Sequence, residues 1–271
     1  VVKYTTAGTY PVTLEVTNAD GTDTVTKTNY ITVNATSTIT QTTPGSRCGV
    51  GSVTISATPN TGTIRWYNAA TGGTLLFTGN TFNTPSISTT TTYYAEAFNG
   101  CTASTRTAVT ATVNPVPTIS GSDVARCGTG TVTLTANPSA GTVKWYDAAI
   151  GGTELSTGTA YTTPNLTTTT SYYAETTSTA GCVSNRIEIK AVINEIPTIT
   201  STTPATRCGA GTATISAVAS SGTINWYDSL TGGTWLAAGS SYSPSVSSTT
   251  TFYVGTTTAA GCSSTRTAVT I

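Results

Sequence analysis

The chain has 271 residues, of which only 8% are charged, 11 basic against 11 acidic, so the formal net charge is zero. Nucleic acid and anionic membranes are bound by clustered Lys and Arg, so this composition argues against both as partners. No run reaches the ~18 apolar residues of a membrane-spanning helix, and 37% hydrophobic residues in regular alternation argue against disorder.

The first 34 residues read as two strands. Tyr4 to Asn18 alternates through Tyr10, Val12, Leu14 and Val16, and a second run goes from Gly21 through Val25 to Val33. The aromatic Tyr4, the Gly8-Thr9-Tyr10 triplet, the alternating strand and Asn18-Ala19-Asp20-Gly21 resemble the closing strands of a PKD domain. That resemblance covers residues 1–34 and implies that the first half of the domain lies elsewhere. Val1-Val2-Lys3-Tyr4 reads as the middle of a domain and not as a signal peptide, so the chain is expected to be an excerpt of a longer protein. Asp20 and Asp23, flanking the turn, are candidate calcium ligands, though two carboxylates make a thin set. No other cofactor is expected.

From residue 35 one pattern is written three times. Arg47-Cys48-Gly49, Arg126-Cys127-Gly128 and Arg207-Cys208-Gly209 open the copies, and Trp66, Trp145 and Trp226 follow at periods of 79 (145−66) and 81 (226−145). A period this long, with strand-like content, marks a small domain repeated in tandem, here over residues 35–115, 116–195 and 196–271. The middle copy shows the layout. Thr131 to Ala136 alternates with period 2, and Thr142 to Asp147 places Val143 and Trp145 on one face. Gly151-Gly152 supplies a tight hairpin. Short strands are expected near Glu154–Ser156 and Ala160–Thr163, then at Ser171–Glu175 and Arg186–Ile193. About seven strands in roughly 80 residues predict an all-β, immunoglobulin-like sandwich with essentially no helix. Linkers such as Asn114-Pro115-Val116-Pro117 are short and contain proline, so the tandem is expected to form a rod of sandwiches roughly 35–40 Å long each.

Six cysteines fall two per repeat at separations of 53 (101−48), 55 (182−127) and 54 (262−208) residues. They read as one disulfide per repeat, Cys48–Cys101, Cys127–Cys182 and Cys208–Cys262, formed in an oxidising compartment. Free buried thiols are the alternative. A metal site is disfavoured, since the chain has no histidine and no CxxC pair.

Trp66, Trp145 and Trp226 are read as core residues and only secondarily as sugar-stacking platforms. Trp235 occurs in the third copy alone, beside Gly232-Gly233, and is the candidate glycan contact. Arg47, Arg126 and Arg207, with Arg106, Arg186 and Arg266, are expected to pair with Asp147 and its equivalents or to be solvated. The acidic residues are too scattered for paired-carboxylate glycosidase chemistry, and without histidine no Ser-His-Asp or Cys-His arrangement exists. A Lys–Asn isopeptide is rejected, because Arg65 and Asn225 replace Lys144 in the other copies.

The Cys-Gly-x-Gly start, central Trp, Thr-Thr-x-Tyr-Tyr run and Gly-Cys end resemble the Ig-like repeats of giant surface proteins of the Bacteroidota, over residues 36 to 271. The resemblance implies a non-catalytic stalk segment of a secreted adhesin, used in gliding or attachment and exported by type IX secretion. Its expected partners are the other domains of the same chain, the outer-membrane secretion or gliding machinery, and surface polysaccharide. Alternatives are a spacer or carbohydrate-binding region of a polysaccharide-degrading enzyme, and a filament subunit assembled by β-strand donation. Asp23-Thr24-Val25 and Asp228-Ser229-Leu230 resemble the O-glycosylation signal of such exported proteins, making Thr24 and Ser229 candidate acceptors.

Overall fold

A computed structural model describes residues 2–271 of the chain. Two compact units emerge, one ending at Val116 and the other spanning Pro117–Ile271. The first holds the N-terminal hairpin and one repeat, the second the other two repeats.

The hairpin pairs β1 (Gly8–Asn18) with β2 (Gly21–Val33) antiparallel, closing at Asn18 opposite Gly21. Its ladder breaks between Tyr10 and Val12, where Pro11 has no N–H to give. Two strands make a sheet with no second layer, so Leu14, Val16 and Val25 remain 63%, 58% and 57% exposed.

The first repeat contains β3 (Ile39–Thr43), β4 (Gly45–Cys48), β5 (Thr54–Pro59), β6 (Thr63–Tyr67), β7 (Leu75–Thr78), β8 (Thr81–Asn83), β9 (Thr91–Phe98) and β10 (Thr107–Asn114). The second repeats this as β11 (Ile119–Gly121), β12 (Val124–Cys127), β13 (Thr133–Pro138), β14 (Thr142–Tyr146), β15 (Glu154–Thr157), β16 (Ala160–Thr162), β17 (Thr170–Thr177) and β18 (Ile187–Asn194). The third has β19 (Ile199–Thr203), β20 (Gly211–Thr212), β21 (Ile215–Ala219), β22 (Thr223–Tyr227), β23 (Trp235–Ala238), β24 (Ser241–Tyr242), β25 (Ser245–Val246), β26 (Thr251–Thr257) and β27 (Thr267–Thr270). No described residue is helical.

Each repeat is a two-layer sandwich. In the second, the order β12-β18-β17-β14-β15 faces β11-β13-β16, and the first repeat has the same two sheets. Alternation in β13 sends Leu134 and Ala136 inward while Thr133 and Thr135 stay exposed. From β14, Val143 and Trp145 enter the same core, to meet Tyr172 and Ala174 of β17 and Ile189 and Ala191 of β18. These are immunoglobulin-like sandwiches in tandem.

The central tryptophans are fully buried and identically held. Trp66, Trp145 and Trp226 donate Nε1–H to the carbonyls of Gly79, Gly158 and Gly239 at 2.8–2.9 Å. Their rings pack on Phe82, Tyr161 and Tyr242 with centroids 5.7, 5.8 and 6.0 Å apart. A buried indole with its one donor satisfied is a structural anchor.

Alternation predicts no strand at Val124–Cys127, but one forms there. β12 lies parallel to the end of β18, with Cys127 opposite Asn194, while β11 joins the other sheet through β13. The opening segment thus crosses between layers, and the crossing decides where the first cysteine goes.

Candidate functional site

β18 carries the chain the length of the second sandwich. Cys127 is level with Asn194, the last residue of β18, whereas Cys182 lies in the turn before Ile187, its first. Eight strand residues at ~3.3 Å each separate the two ends by roughly 23 Å. A disulfide requires Cα atoms within about 7 Å, so a pair inside one repeat cannot close. The observed bond instead joins Cys127 to Cys262 of the third repeat, with Cα atoms 5.5 Å apart and 135 residues between them in sequence.

The expected pairs Cys127–Cys182 and Cys208–Cys262 are therefore corrected. So is Cys48–Cys101, because Cys101 and Cys208 are free and exposed. Cys48 and Cys182 are disulfide-bonded as well. Cys262 is buried in its turn, where its N–H donates to Thr258 Oγ1 at 3.2 Å and its carbonyl accepts from the Thr258 N–H at 2.9 Å.

The Arg-Cys-Gly-x-Gly motif shapes this end of the repeat. Gly128 (φ +72°) donates its N–H to the Asn194 carbonyl at 2.8 Å, and a Cβ there would meet Ile196 Cδ1 of the linker at 2.8 Å. At Gly130 a Cβ would fall 2.0 Å from Nη1 of Arg126, whose guanidinium lies over the glycine and donates to the Thr131 carbonyl at 2.8 Å. A small hollow of about 350 Å³ lined by Gly128, Thr129, Thr167, Ile193 and Ile196 marks the junction.

A second constellation recurs on the outer face of the larger sheet. Arg186 stacks its guanidinium 3.4 Å from the Tyr146 ring centroid and pairs through Nε with Glu175 Oε2 at 2.8 Å. Its Nη1 donates to the carbonyls of Ala148 and Gly151 at 2.8 and 2.6 Å, and Tyr146 O–H donates to Glu175 at 3.0 Å. Burial works against the charge of Arg186, but the hydrogen bond and charge of Glu175 outweigh it and raise its pKa. Arg106, Tyr67 and Glu96 repeat the arrangement, with a 3.5 Å ion pair. Pairing with Asp147 is thus corrected: Asp147 Oδ1 instead accepts from the Thr153 N–H at 2.7 Å, closing the Gly-Gly hairpin.

The third repeat departs from this pattern. Arg266 stacks 3.3 Å over Tyr227 and donates to Ser229 and Gly232, but Gly255 holds the register position of Glu175. Among the described residues no carboxylate pairs with Arg266, and a hollow of about 580 Å³ lined by Leu230, Thr231, Gly232, Ser264 and Thr265 lies beside it. On the same sheet Trp235 is 56% exposed, its Nε1–H donating to Asn225 Oδ1 at 3.0 Å. Comparing Tyr94-Ala95-Glu96 and Tyr173-Ala174-Glu175 with Tyr253-Val254-Gly255 exposes this difference in the sequence itself.

Asp20 and Asp23 line an open hollow at the tip of the hairpin, where Asn18 Oδ1 accepts from the Asp20 N–H at 2.8 Å. Thr24 is exposed on β2, whereas Ser229 is half-buried and donates to the Thr231 carbonyl at 3.1 Å. Among the described residues no three His, Cys, Asp or Glu side chains gather in a metal-binding group.

Solved structures with similar arrangements share little sequence. The I67–I69 segment of titin, in an E-to-A variant, is 13% identical with a TM-score of 0.42, covering 88% of this chain and 98% of that one. Drosophila OTK extracellular domains 3–5 are 12% identical with a TM-score of 0.38, covering 88% and 97%. The fibronectin(III)-like modules of Clostridium thermocellum CbhA are 18% identical with a TM-score of 0.34, covering 59% and 94%. No curated protein matches the chain. The sequence profile described as Ig-like domain CHU_C associated matches residues 33–115, 116–194 and 195–271. With three consecutive matches running from residue 33 to its last residue, the chain belongs to the CHU_C-associated Ig-like domain family.

Proposed function

We propose that the chain is a non-catalytic stalk segment of a large secreted adhesin of the bacterial surface, holding a binding region away from the cell during attachment or gliding. The observation that carries this reading is the Cys127–Cys262 bond, which ties consecutive repeats covalently instead of stapling one fold internally. Such a bond opposes the separation of neighbouring modules under load and belongs to an oxidising compartment. The side chains that recur in all three repeats support the same reading, since the tryptophans and the arginines beside the second cysteines are engaged in internal contacts. Residues 1–34 are read as the closing strands of a PKD-like domain completed by other sequence, and Thr24 and Ser229 as O-glycan acceptors. The partners on this reading are the remaining domains of the same polypeptide and the outer-membrane export or gliding machinery.

The test is replacement. In cells making the full protein, deleting residues 35–271 abolishes attachment, and an unrelated Ig tandem of equal length restores it. Failure of the unrelated tandem to restore attachment overturns the stalk reading.

One observation favours a second reading, a carbohydrate-binding region. In the third repeat Trp235 is exposed and Arg266 lacks a carboxylate on the same sheet, a pairing suited to an acidic sugar. Retention of the purified chain by a uronate-containing polysaccharide, lost in Trp235→Ala, supports it; equal elution of both proteins removes it.

A further inference from the structure

Cys127 and Cys208 hold the same place in successive repeats, in Arg126-Cys127-Gly128-Thr129-Gly130 and Arg207-Cys208-Gly209-Ala210-Gly211. The two loops have one shape. Gly128 and Gly209 have φ of +72° and +70°, and Gly130 and Gly211 of +147° and +144°. Arg207 covers Gly211 as Arg126 covers Gly130, and its Nη1 donates to the Thr212 carbonyl at 2.6 Å as Arg126 does to Thr131. Yet Cys127 is bonded and Cys208 is free and exposed.

The other end of the repeat supplies an independent observation. Cys101 is the first repeat's counterpart of Cys262, and its Sγ lies 3.0 Å from Asn34 Nδ2. Asn34 is in turn the counterpart of Asn194, the register partner of Cys127. A second cysteine thus comes to the end of the preceding segment even where that segment, residues 1–34, has no cysteine to meet it. The approach is a property of the repeat and does not depend on the bond.

We propose that Cys208 is the covalent linkage site for a further Ig-like repeat following it in the polypeptide, whose second cysteine bonds to it as Cys262 bonds to Cys127. The chemistry is thiol–disulfide exchange with a small-molecule disulfide such as glutathione disulfide. The Cys208 thiolate attacks one glutathione sulfur and expels the other as a thiolate. The incoming cysteine thiolate then attacks Cys208 Sγ and expels the second glutathione. Two cysteine thiols are oxidised, one glutathione disulfide is reduced, and the two protons end on the two glutathione thiols.

Ile271 stands where Ala191 stands in the second repeat, so appending a copy of residues 192–271, with serine in place of the copied Cys208, after Ile271 supplies the next repeat in frame. Both proteins are equilibrated in a glutathione redox buffer, alkylated with N-ethylmaleimide without reduction, and mapped by mass spectrometry. The original chain is labelled at Cys101 and Cys208. In the extended chain the Cys208 label is lost, and Cys208 is recovered joined to the copy of Cys262. Cys208→Ser in the extended chain then exposes that copied cysteine to labelling. Three outcomes overturn the proposal: Cys208 labelled as fully as before while Cys127–Cys262 stays intact, Cys208 bonded to Cys262 of its own repeat, or Cys208 bonded to another chain in a covalent dimer.

Discussion

Serine at Cys48, Cys101, Cys182 and Cys208 leaves Cys127 and Cys262 as the only thiols, and this variant isolates the inter-repeat bond. When it is pulled from its ends, force passes through the bond and the chain between the two cysteines stays out of the force path. The bond spans 135 residues, so at ~3.3–3.6 Å per extended residue it hides about 450–490 Å of contour. Single-molecule force spectroscopy in the absence of reductant should therefore give a fully extended length short by that amount, and adding dithiothreitol should restore it. A companion variant keeping only Cys127 and Cys182, 55 residues apart (182−127), should extend fully without reductant. A deficit of about 180–200 Å in the companion, with none in the first variant, would falsify the inter-repeat geometry.

Trp145→Ala should destabilise the second repeat by about 3–5 kcal/mol in chemical denaturation, since it empties a fully buried site and orphans the Gly158 carbonyl, whereas Trp235→Ala should change stability by less than about 0.5 kcal/mol. Gly255→Glu restores the carboxylate that Arg266 lacks and should stabilise the third repeat by about 1 kcal/mol, read as a raised melting temperature, with no such gain in an Arg266→Gln background. Burial raises the pKa of Tyr93, Tyr161 and Tyr172 above the ordinary 10.0. The folded chain therefore holds these protons longer than the unfolded one, and their contribution to stability is complete below pH 10.0 and lost as pH climbs through the folded values. Phenolate absorbance should develop at higher pH in the folded protein than in denaturant, and coincident curves would refute the assignment.

Much of the sandwich was legible because its signals are local. Alternation in Thr131–Ala136 and Thr142–Tyr146 predicts both the strands and the face that is buried, and the Gly-Gly pairs mark the hairpins. The disulfide partners were not legible, because constant spacing within a repeat is equally constant between repeats. What separates the possibilities is β12, four residues of Val-Ala-Arg-Cys with too short a pattern to read as a strand. Its parallel pairing with β18 carries Cys127 to the opposite end of the sandwich from Cys182. Arg186 illustrates a different failure: Asp147 closes its own hairpin, and the carboxylate that reaches Arg186 is Glu175, on the strand beside β14. The exposed Trp235 is where the third copy spells something the others do not, so comparing copies exposed it without any structure.

A protein displayed outside the cell meets proteases, and an ordinary string of domains is severed by one cut in any linker. Here a single cut anywhere between Cys127 and Cys262, the Asn194-Glu195-Ile196-Pro197 linker included, leaves both fragments joined through sulfur. Cleavage inside that stretch becomes visible only after reduction, and two chemically different insults are needed to release what lies beyond it.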